Sequence, residues 1–315
     1  MKSPVLSILF LLISVTLLAV PNDFRFRHFS VEDGLSSNSV RAIMQDKYGF
    51  LWIGTEEGLN RYDGIMIKSY SICPQAAGKY ISSLYGTKKN IWIGTDEGIY
   101  IYAYATETFT YFDLTTPNNV RITSIVNHIL QDKDGNLWFS TNGQGLFRYN
   151  LSKNYLEQYE FTSAFGIVAS TMADSDNQIW ALTNQGESGV YKLNKAENKF
   201  EPFGLLYNAG NHHSQALAML EDSEQTLWLG TWECGLQKID KYTRQTTTYL
   251  HPTDGKGVTH IHSLMEYAPH QLLIGSDDGL LLFNTLTEEY KLFTENETVP
   301  NSLSNRFVYP IIKDR

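Results

Sequence analysis

One motif recurs along the chain and limits what the sequence can fold into. Its copies are LWIGTEEGLNRYDG at 51–64, IWIGTDEGIYIY at 91–102, LWFSTNGQGLFRYN at 137–150, IWALTNQGESGVYKLN at 179–194, LWLGTWECGLQKID at 227–240 and LLIGSDDGLLLFN at 272–284. The tryptophan position, occupied by Leu273 in the last copy, advances by 40, 46, 42, 48 and 45 residues. A period of roughly 40 to 50 residues is typical of four-stranded propeller blades. The repeat therefore predicts a β-propeller.

The first copy divides into strands and tight turns. We predict strands at 40–45, 50–55 and 59–62, followed by a fourth, aromatic strand that closes the blade. The second strand is apolar on both faces, as expected when a blade is sandwiched between two neighbours. Its tryptophan should fill the space between blades, and its glycine should let the next blade approach closely. The residues assigned to this packing motif are Trp52, Gly54, Trp92, Gly94, Trp138, Trp180, Trp228 and Gly230.

The two ends of the chain resemble parts of one more blade. FRFRHF at 24–29 looks like a fourth strand without the preceding three, and NSLSNRFVYPIIKDR at 301–315 repeats the segment at 34–49 that begins the first blade. Joining these ends in one blade would protect sheet edges that otherwise lie open. The predicted fold is therefore an all-β, seven-bladed propeller with six complete four-stranded blades and an incomplete seventh. The repeat period implies that the seventh blade lacks about 20 residues, as in a fragment or a truncated gene product.

Composition and charge agree with a β-rich body and exclude one class of partner. The chain has 19 Tyr, 16 Phe, 6 Trp and 23 Gly, which suits short strands separated by tight turns. Its net charge is −9, so we expect no contact with nucleic acid, which needs a basic face. Neutral and cationic ligands stay open, whereas an anionic ligand would need a local basic patch. The sequence predicts neither a cofactor nor a metal.

The N-terminal segment predicts export. Lys2 precedes a mostly apolar run, Val5 to Val20, that is short for a membrane span. We assign residues 1–21 to a signal peptide, or to an N-terminal anchor because the cleavage site is poor, and residues 22–315 to the propeller. The predicted location is periplasmic, either released or tethered to the membrane. Cys73 and Cys234 lie in distant repeats, so we expect no disulfide between them.

The stretch SVEDGLSSNSVRAIMQDKYGFLWIGTEEGLNRYDG at 30–64 is similar to the two-component regulator propeller repeats. The similarity extends over nearly all of 24–315, and F-x-x-F-S-x-E-D-G-L-S at 26–36 resembles the start of that family. The resemblance implies the N-terminal periplasmic sensor propeller of a hybrid two-component histidine kinase. Such proteins add a second propeller, a β-sandwich, one transmembrane helix and cytoplasmic kinase, receiver and DNA-binding modules, which this sequence does not contain. The resemblance also implies a dimer at full length and the sensing of oligosaccharides from polysaccharide breakdown.

Six residues are candidates for ligand binding where the loops gather around the central channel. Trp232 interrupts an otherwise small, acidic turn and either stacks on a sugar ring or simply covers a neighbouring loop. The other five lie on or next to predicted first strands, from which side chains reach the channel mouth: Arg41, Asn127, His260, His262 and Arg306. Together they suit hydroxyl- or carboxylate-bearing saccharides. The alternative is that Arg and His merely neutralise acidic turns.

Other patterns suggest chemistry less strongly. DKDGN at 132–136 begins like a calcium loop but lacks the later glycine and glutamate, so a turn is favoured. His260 and His262 share a strand face, yet a metal site needs a third ligand. No G-x-S-x-G, H-E-x-x-H or P-loop occurs. The acidic pairs of several blades are interpreted as solvated turn residues rather than an acid–base pair: Glu56-Glu57, Asp96-Glu97 and Asp277-Asp278.

Three functions compete on these observations. The leading one is a ligand-sensing propeller that controls a kinase and transcription, and the chain itself is then not an enzyme. A propeller lyase acting on polysaccharides or macrolactones would need a compact His, Glu and Arg cluster, for which the sequence offers only scattered candidates. A protein-interaction scaffold would have a broad apolar face without a pocket.

Overall fold

The computed structural model describes residues 24–73, 79–161, 166–183, 189–204, 215–251, 257–296, 298–299 and 301–314. Over these residues the chain forms 24 strands in six antiparallel sheets, and its only helical element is the short 3-10 turn Val31–Asp33. None of the described helical structure is long and apolar enough to cross a bilayer. The predicted signal peptide or anchor at 1–21 lies outside the described residues.

Each sheet consists of four strands that are consecutive in sequence, so every blade is a simple meander. The first three blades contain β1 (Val40–Gln45), β2 (Leu51–Thr55), β3 (Gly58–Tyr62), β4 (Ile67–Tyr70), β5 (Ile81–Gly86), β6 (Asn90–Thr95), β7 (Gly98–Ala103), β8 (Thr108–Tyr111), β9 (Val126–Gln131), β10 (Leu137–Thr141), β11 (Leu146–Asn150) and β12 (Tyr155–Tyr159). The last three contain β13 (Val168–Ala173), β14 (Ile179–Thr183), β15 (Val190–Asn194), β16 (Lys199–Pro202), β17 (Ala216–Glu221), β18 (Leu227–Thr231), β19 (Leu236–Ile239), β20 (Thr246–Tyr249), β21 (Ile261–Ala268), β22 (Gln271–Ser276), β23 (Gly279–Asn284) and β24 (Tyr290–Phe293). The prediction of six four-stranded blades is confirmed.

The first strand of every blade lies innermost. These strands contact one another in chain order, β1 to β5, β9, β13, β17 and β21, and surround a central channel. Because neighbouring strands are antiparallel, the turn between the second and third strands lies at the end where the inner strand begins. We call this end of the channel the mouth and these turns the mouth turns.

The repeated motif packs one blade against the next. Trp52 is fully buried, and its ring centroid lies 5.1 Å from that of Tyr102 in the second blade. A Cβ atom placed on Gly54 would lie 2.5 Å from the Cγ2 of Ile81, so only glycine admits the neighbour at this distance. The motif therefore makes the same kind of contact between neighbouring blades where it recurs.

A second recurring feature closes the turn between the first and second strands, at the end opposite the mouth. In this Asp–Trp clasp, one carboxylate oxygen accepts the indole N–H six residues later, and the other accepts backbone N–H groups of the turn. The indole N–H lies 2.8 Å from Asp46 or Asp132, 3.0 Å from Asp174 and 2.7 Å from Asp222. Both oxygens of Asp132 are bonded internally, to the Asn136 N–H and side-chain amide and to Trp138. DKDGN is thus a turn, and among the described residues no group of three or more His, Cys, Asp or Glu side chains is arranged so that it could hold a metal ion.

The two ends of the described chain, 24–29 and 301–314, lie in the space between the sixth and first blades. Phe24 packs edge-on against Phe293, with ring centroids 5.0 Å apart, and the N–H of Phe26 donates to the carbonyl of Asn301 at 3.1 Å. Phe29 reaches the first blade, where its ring centroid is 4.8 Å from that of Tyr62. No strand is assigned within 24–29 or 307–312, so six blades are shown and the incomplete seventh is not.

Candidate functional site

The channel holds a cavity of about 670 Å³ lined by the inner strands of all six blades. The second residue of every inner strand faces it, and Tyr309 adds a seventh side chain to the ring. The seven are Arg41, Ser82, Asn127, Ala169, Leu217, His262 and Tyr309. Because the backbone position is equivalent in each blade, the side chains alone make one part of the wall differ from another.

Aromatic, histidine and carboxylate side chains form a continuous group at the mouth of the fifth, sixth and first blades. The rings of Trp232 and His260 stack with centroids 3.7 Å apart. Asp277 accepts a hydrogen bond from Nε2 of His262 at 2.7 Å and pairs through its other oxygen with Nδ1 of His260. The ring of His262 in turn stacks on Tyr309, with centroids 4.4 Å apart.

Arg41 and Glu56 complete this group on the first blade. The guanidinium of Arg41 lies 4.8 Å from the centroid of the Tyr309 ring, and its Nε donates to Glu56 Oε1 at 2.9 Å. Burial favours the neutral form of Arg41, but the hydrogen bonds to Glu56 and Tyr309 outweigh it and raise the pKa of the guanidinium. We call the whole set the mouth cluster: Arg41, Glu56, Trp232, His260, His262, Asp277 and Tyr309.

Local backbone structure holds the histidines in place. His260 adopts a positive φ of 48°, and its N–H donates to the carbonyl of Trp232 at 3.0 Å, which brings the two rings together. Asp278 accepts the N–H of Thr259 at 2.8 Å and its hydroxyl at 2.9 Å. The mouth turn of the sixth blade is thereby tied to the segment that enters β21, and Asp277 lies between both histidines.

The protonation states follow from burial and hydrogen bonding. Burial lowers the pKa of His262 below its usual value, and the bond to Asp277 opposes this without cancelling it. Burial disfavours the charged form of Asp277, but hydrogen bonds from His260 and His262 together lower the pKa of the carboxyl. Near neutral pH the centre of the cluster is therefore a carboxylate that accepts a hydrogen bond from a neutral imidazole.

The channel wall of the second and third blades is bonded differently. Ser82 Oγ donates to the carbonyl of Val126 at 2.8 Å, and Asn127 Nδ2 donates to the carbonyl of Val168 at 2.9 Å. Each bond joins one inner strand to the next. These polar side chains are therefore occupied in linking blades.

Four of the six predicted ligand-binding residues meet in the mouth cluster: Arg41, Trp232, His260 and His262. Asn127 lines the cavity elsewhere, and Arg306 lies exposed with its guanidinium 5.1 Å from the ring of Phe307, outside the cavity wall. Trp232 does cover a neighbouring segment, since His260 occupies one face of its ring, and its side chain remains 37% exposed.

The sequence interpretation missed three members of the cluster. Glu56 and Asp277 lie in turns, as expected, with partly exposed side chains, but each also pairs with a basic or imidazole side chain, which the sequence did not indicate. Tyr309 lies in a segment that was expected only to begin a blade. The one available signal was the alignment of 308–312 with β1, which assigns Tyr309 the channel-facing position of Arg41. The cysteine prediction holds, as neither Cys73 nor Cys234 forms a disulfide in the described part of the chain.

Comparison with known proteins agrees with this architecture. The two-component regulator propeller family matches residues 34–57 and 120–143. Two segments of the chain thus match this repeat family. Its sequence is also 26% identical over 293 residues to histidine kinase P4 of Formosa agariphila, a match that covers 88% of this chain.

Solved structures share the propeller fold at low sequence identity. The chain superposes on the extracellular domain of the hybrid two component system BT3049 and on that of BT4673, both of B. thetaiotaomicron, with TM-scores of 0.77 and 0.78, at 22% and 23% identity. These matches cover 93% and 92% of the chain. A streptogramin B lyase superposes with a TM-score of 0.65 at 16% identity, over 85% of this chain and 87% of the lyase.

The chain is much shorter than most of these relatives. It spans 21% of the length of the Formosa agariphila kinase, 39% of the BT3049 domain and 38% of the BT4673 domain. The comparisons therefore establish the propeller fold.

Proposed function

We propose that this chain is the extracytoplasmic ligand-sensing propeller of a hybrid two-component histidine kinase, and that it responds to oligosaccharides. The mouth cluster is the observation that carries the proposal. It combines exposed aromatic surface on Trp232, a carboxylate on Asp277 and a guanidinium on Arg41 beside a 670 Å³ cavity. Saccharide sites need this combination of ring stacking and a few convergent polar groups.

Signalling requires further parts. In this proposal the propeller is exported to the periplasm, released or tethered by residues 1–21, and works with a second propeller and kinase modules in a dimeric protein. Binding at the mouth shifts the population of propeller arrangements, because a ligand favours the arrangement for which its affinity is higher. The similarity to a histidine kinase and to two-component ectodomains supports this assignment.

The same proposal includes the incomplete seventh blade. The N–H of Val308 donates to the carbonyl of Ser276 at 2.9 Å. A Cβ atom on Gly275 would lie 3.1 Å from Val308 Cγ1, as the equivalent atom on Gly54 would meet Ile81. Residues 308–312 then take the inner position of a seventh blade and 24–29 an outer one, with Tyr309 in the channel-facing ring.

Calorimetric titration against an oligosaccharide panel tests the binding function. Trp232→Ala and the double change His260→Ala with His262→Ala should each weaken binding at least tenfold while leaving the melting temperature nearly unchanged. Tyr242→Ala is the matched control, because Tyr242 is 94% exposed on the fifth blade at the end opposite the mouth. Wild-type affinity in both mouth variants would place the saccharide site elsewhere.

A lyase is the second candidate, because the fold gathers His, Asp, Glu and Arg side chains that the sequence left scattered. A histidine held by a carboxylate is a suitable general base. The resemblance of the fold to a streptogramin B lyase adds a reason to test it. Incubation with quinupristin and with the saccharide panel, followed by mass spectrometry, should return unchanged masses if the protein only binds.

A further inference from the structure

We infer that the mouth selects uncharged saccharides and rejects anionic ones such as uronates. The inference rests on the proposed binding function and specifies the class of ligand. It depends on the charges that the fold places around the mouth cluster, and on which of them are already paired.

The mouth turns are strongly acidic. Their described residues include no basic side chain. They contribute seven carboxylates, namely Glu56, Glu57, Asp96, Glu97, Glu233, Asp277 and Asp278. A uronate approaching this end meets like charges, whose repulsion acts over about 8 Å at physiological ionic strength.

Three basic side chains near these turns are already paired, whereas Arg306 is exposed and lies outside the cavity wall. Arg41 is bound to Glu56, and Lys79 is bound to Glu97 with its side chain only 8% exposed. Arg121 pairs with Asp113 at 2.8 Å. An incoming carboxylate would have to displace a protein carboxylate from each of these cations, whereas a hydroxyl group needs no such exchange. The local basic patch required for an anionic ligand is therefore not formed by these residues.

The acidic turns and the cluster share one neighbourhood. Tyr80 lies near Arg41, Glu56, Tyr309 and Asp96, so the carboxylates of the first two blades lie close to the cluster. Asp277 presents an acceptor beside the Tyr309 and Trp232 rings. Sugar hydroxyls can donate to such a carboxylate, and the apolar faces of a sugar ring can lie on the aromatic rings.

Matched sugars that differ only in charge test the inference. The probes are cellotetraose, mannotetraose and galactotetraose, each paired with its C6-oxidised form, titrated by calorimetry at 20 and 300 mM NaCl. We expect the best uncharged probe to bind at least tenfold tighter than its oxidised form at low salt. The difference should shrink at high salt, because screening weakens the repulsion.

Charge-neutralising variants assign the cause. Glu57→Gln combined with Asp96→Asn should improve binding of the oxidised probe about threefold at 20 mM NaCl and leave the uncharged probe unaffected, since both side chains are exposed on the mouth turns. Glu197→Gln, an exposed carboxylate at the opposite end, should change neither. Equal or tighter binding of the oxidised probes would overturn this inference but not the proposed function. The same holds if the preference for uncharged probes changes neither with salt concentration nor in these variants. Absence of binding by all six probes overturns the proposed function as well.

Discussion

The Asp–Trp clasps and the mouth cluster lie at opposite ends of the same blades, and they use carboxylates in different ways. A clasp joins an aspartate to a tryptophan six residues later within one blade, and it occurs in four blades with nearly the same geometry. The mouth cluster occurs once and joins side chains of the fifth, sixth and first blades to Tyr309. Repetition marks positions that every blade needs for packing. A departure from the repeat, at a position the backbone treats alike in all blades, marks a site with a separate role.

Breaking one clasp should give the largest loss of stability. Asp132→Ala leaves the Trp138 indole N–H and the N–H of Asn136 without their acceptor in a buried turn. Unpaired buried donors of this kind cost roughly 1 to 3 kcal/mol each, so we expect the free energy of unfolding to fall by about 3 kcal/mol. Urea unfolding followed by tryptophan fluorescence measures the change.

Asp134→Ala is the matched control for this variant. Its carboxylate lies in the same turn but is exposed, and within the described part of the chain it accepts a hydrogen bond from the Asn177 side chain alone, at 2.9 Å. Asp134→Ala should lower the free energy of unfolding by about 0.5 kcal/mol or less. Equal losses in the two variants would show that the turn does not depend on the clasp. Saccharide affinity should be unchanged in both variants, because the clasps lie at the end opposite the mouth.

His128, the histidine in the channel wall of the third blade, should have the next largest effect on stability. His128 occurs where the other inner strands carry uncharged residues, and burial lowers its pKa to about 4. An unfolded histidine has a pKa near 6.5, so between these values the unfolded chain binds more protons than the folded one. The contribution of His128 to the free energy of unfolding is therefore complete above about pH 6.5 and is lost as the pH falls toward 4.

Replacement of His128 isolates this contribution. The N–H of Thr171 donates to His128 Nδ1 at 3.4 Å, and the side-chain oxygen of His128→Asn can accept the same N–H. Because the ring borders the channel, water offsets part of the burial, and we expect the wild type to lose about 1 to 2 kcal/mol more than the variant between pH 7 and pH 4.5. Unfolding curves for the two proteins that fall in parallel with pH would contradict this assignment.

The same distinction explains how much the sequence could predict. The six blades, the buried position of Trp52 and the close approach at Gly54 follow from a repeat, and a repeat can be recognised without knowing which blades touch. The mouth cluster depends on contacts between residues far apart in sequence. Asp277 lies near Tyr309 because residues 308–312 lie beside the sixth blade. Glu56 lies beside Arg41 because of the register in which β1 pairs with β2. A local pattern identifies an acidic turn, but the partner of each carboxylate depends on the closed ring.

The second blade has a tryptophan without a clasp, and restoring the clasp should give the smallest effect. Thr87 occupies the aspartate position in a turn shortened by one residue, and its hydroxyl accepts the N–H of Asn90 at 3.0 Å. The buried indole N–H of Trp92 has no hydrogen-bond partner among the residues that the structure describes. Thr87→Asp can keep the turn bond with one oxygen and offer the other to Trp92. We expect the free energy of unfolding to rise by about 1 kcal/mol, within the range for a hydrogen bond to a charged group.

A double-mutant cycle separates this hydrogen bond from a general effect of charge beside Lys88 and Lys89. Trp92→Phe keeps an aromatic ring but removes the donor, so Thr87→Asp should lose its benefit in that background. A gain that persists without the indole N–H would come from the neighbouring lysines instead. If the gain disappears with the donor, the aspartate position of the repeat carries the same stabilising bond in a blade whose turn is shorter than the others. A single substitution would then be enough to create a clasp within one blade. The mouth cluster, in contrast, needs residues from three blades and the chain end.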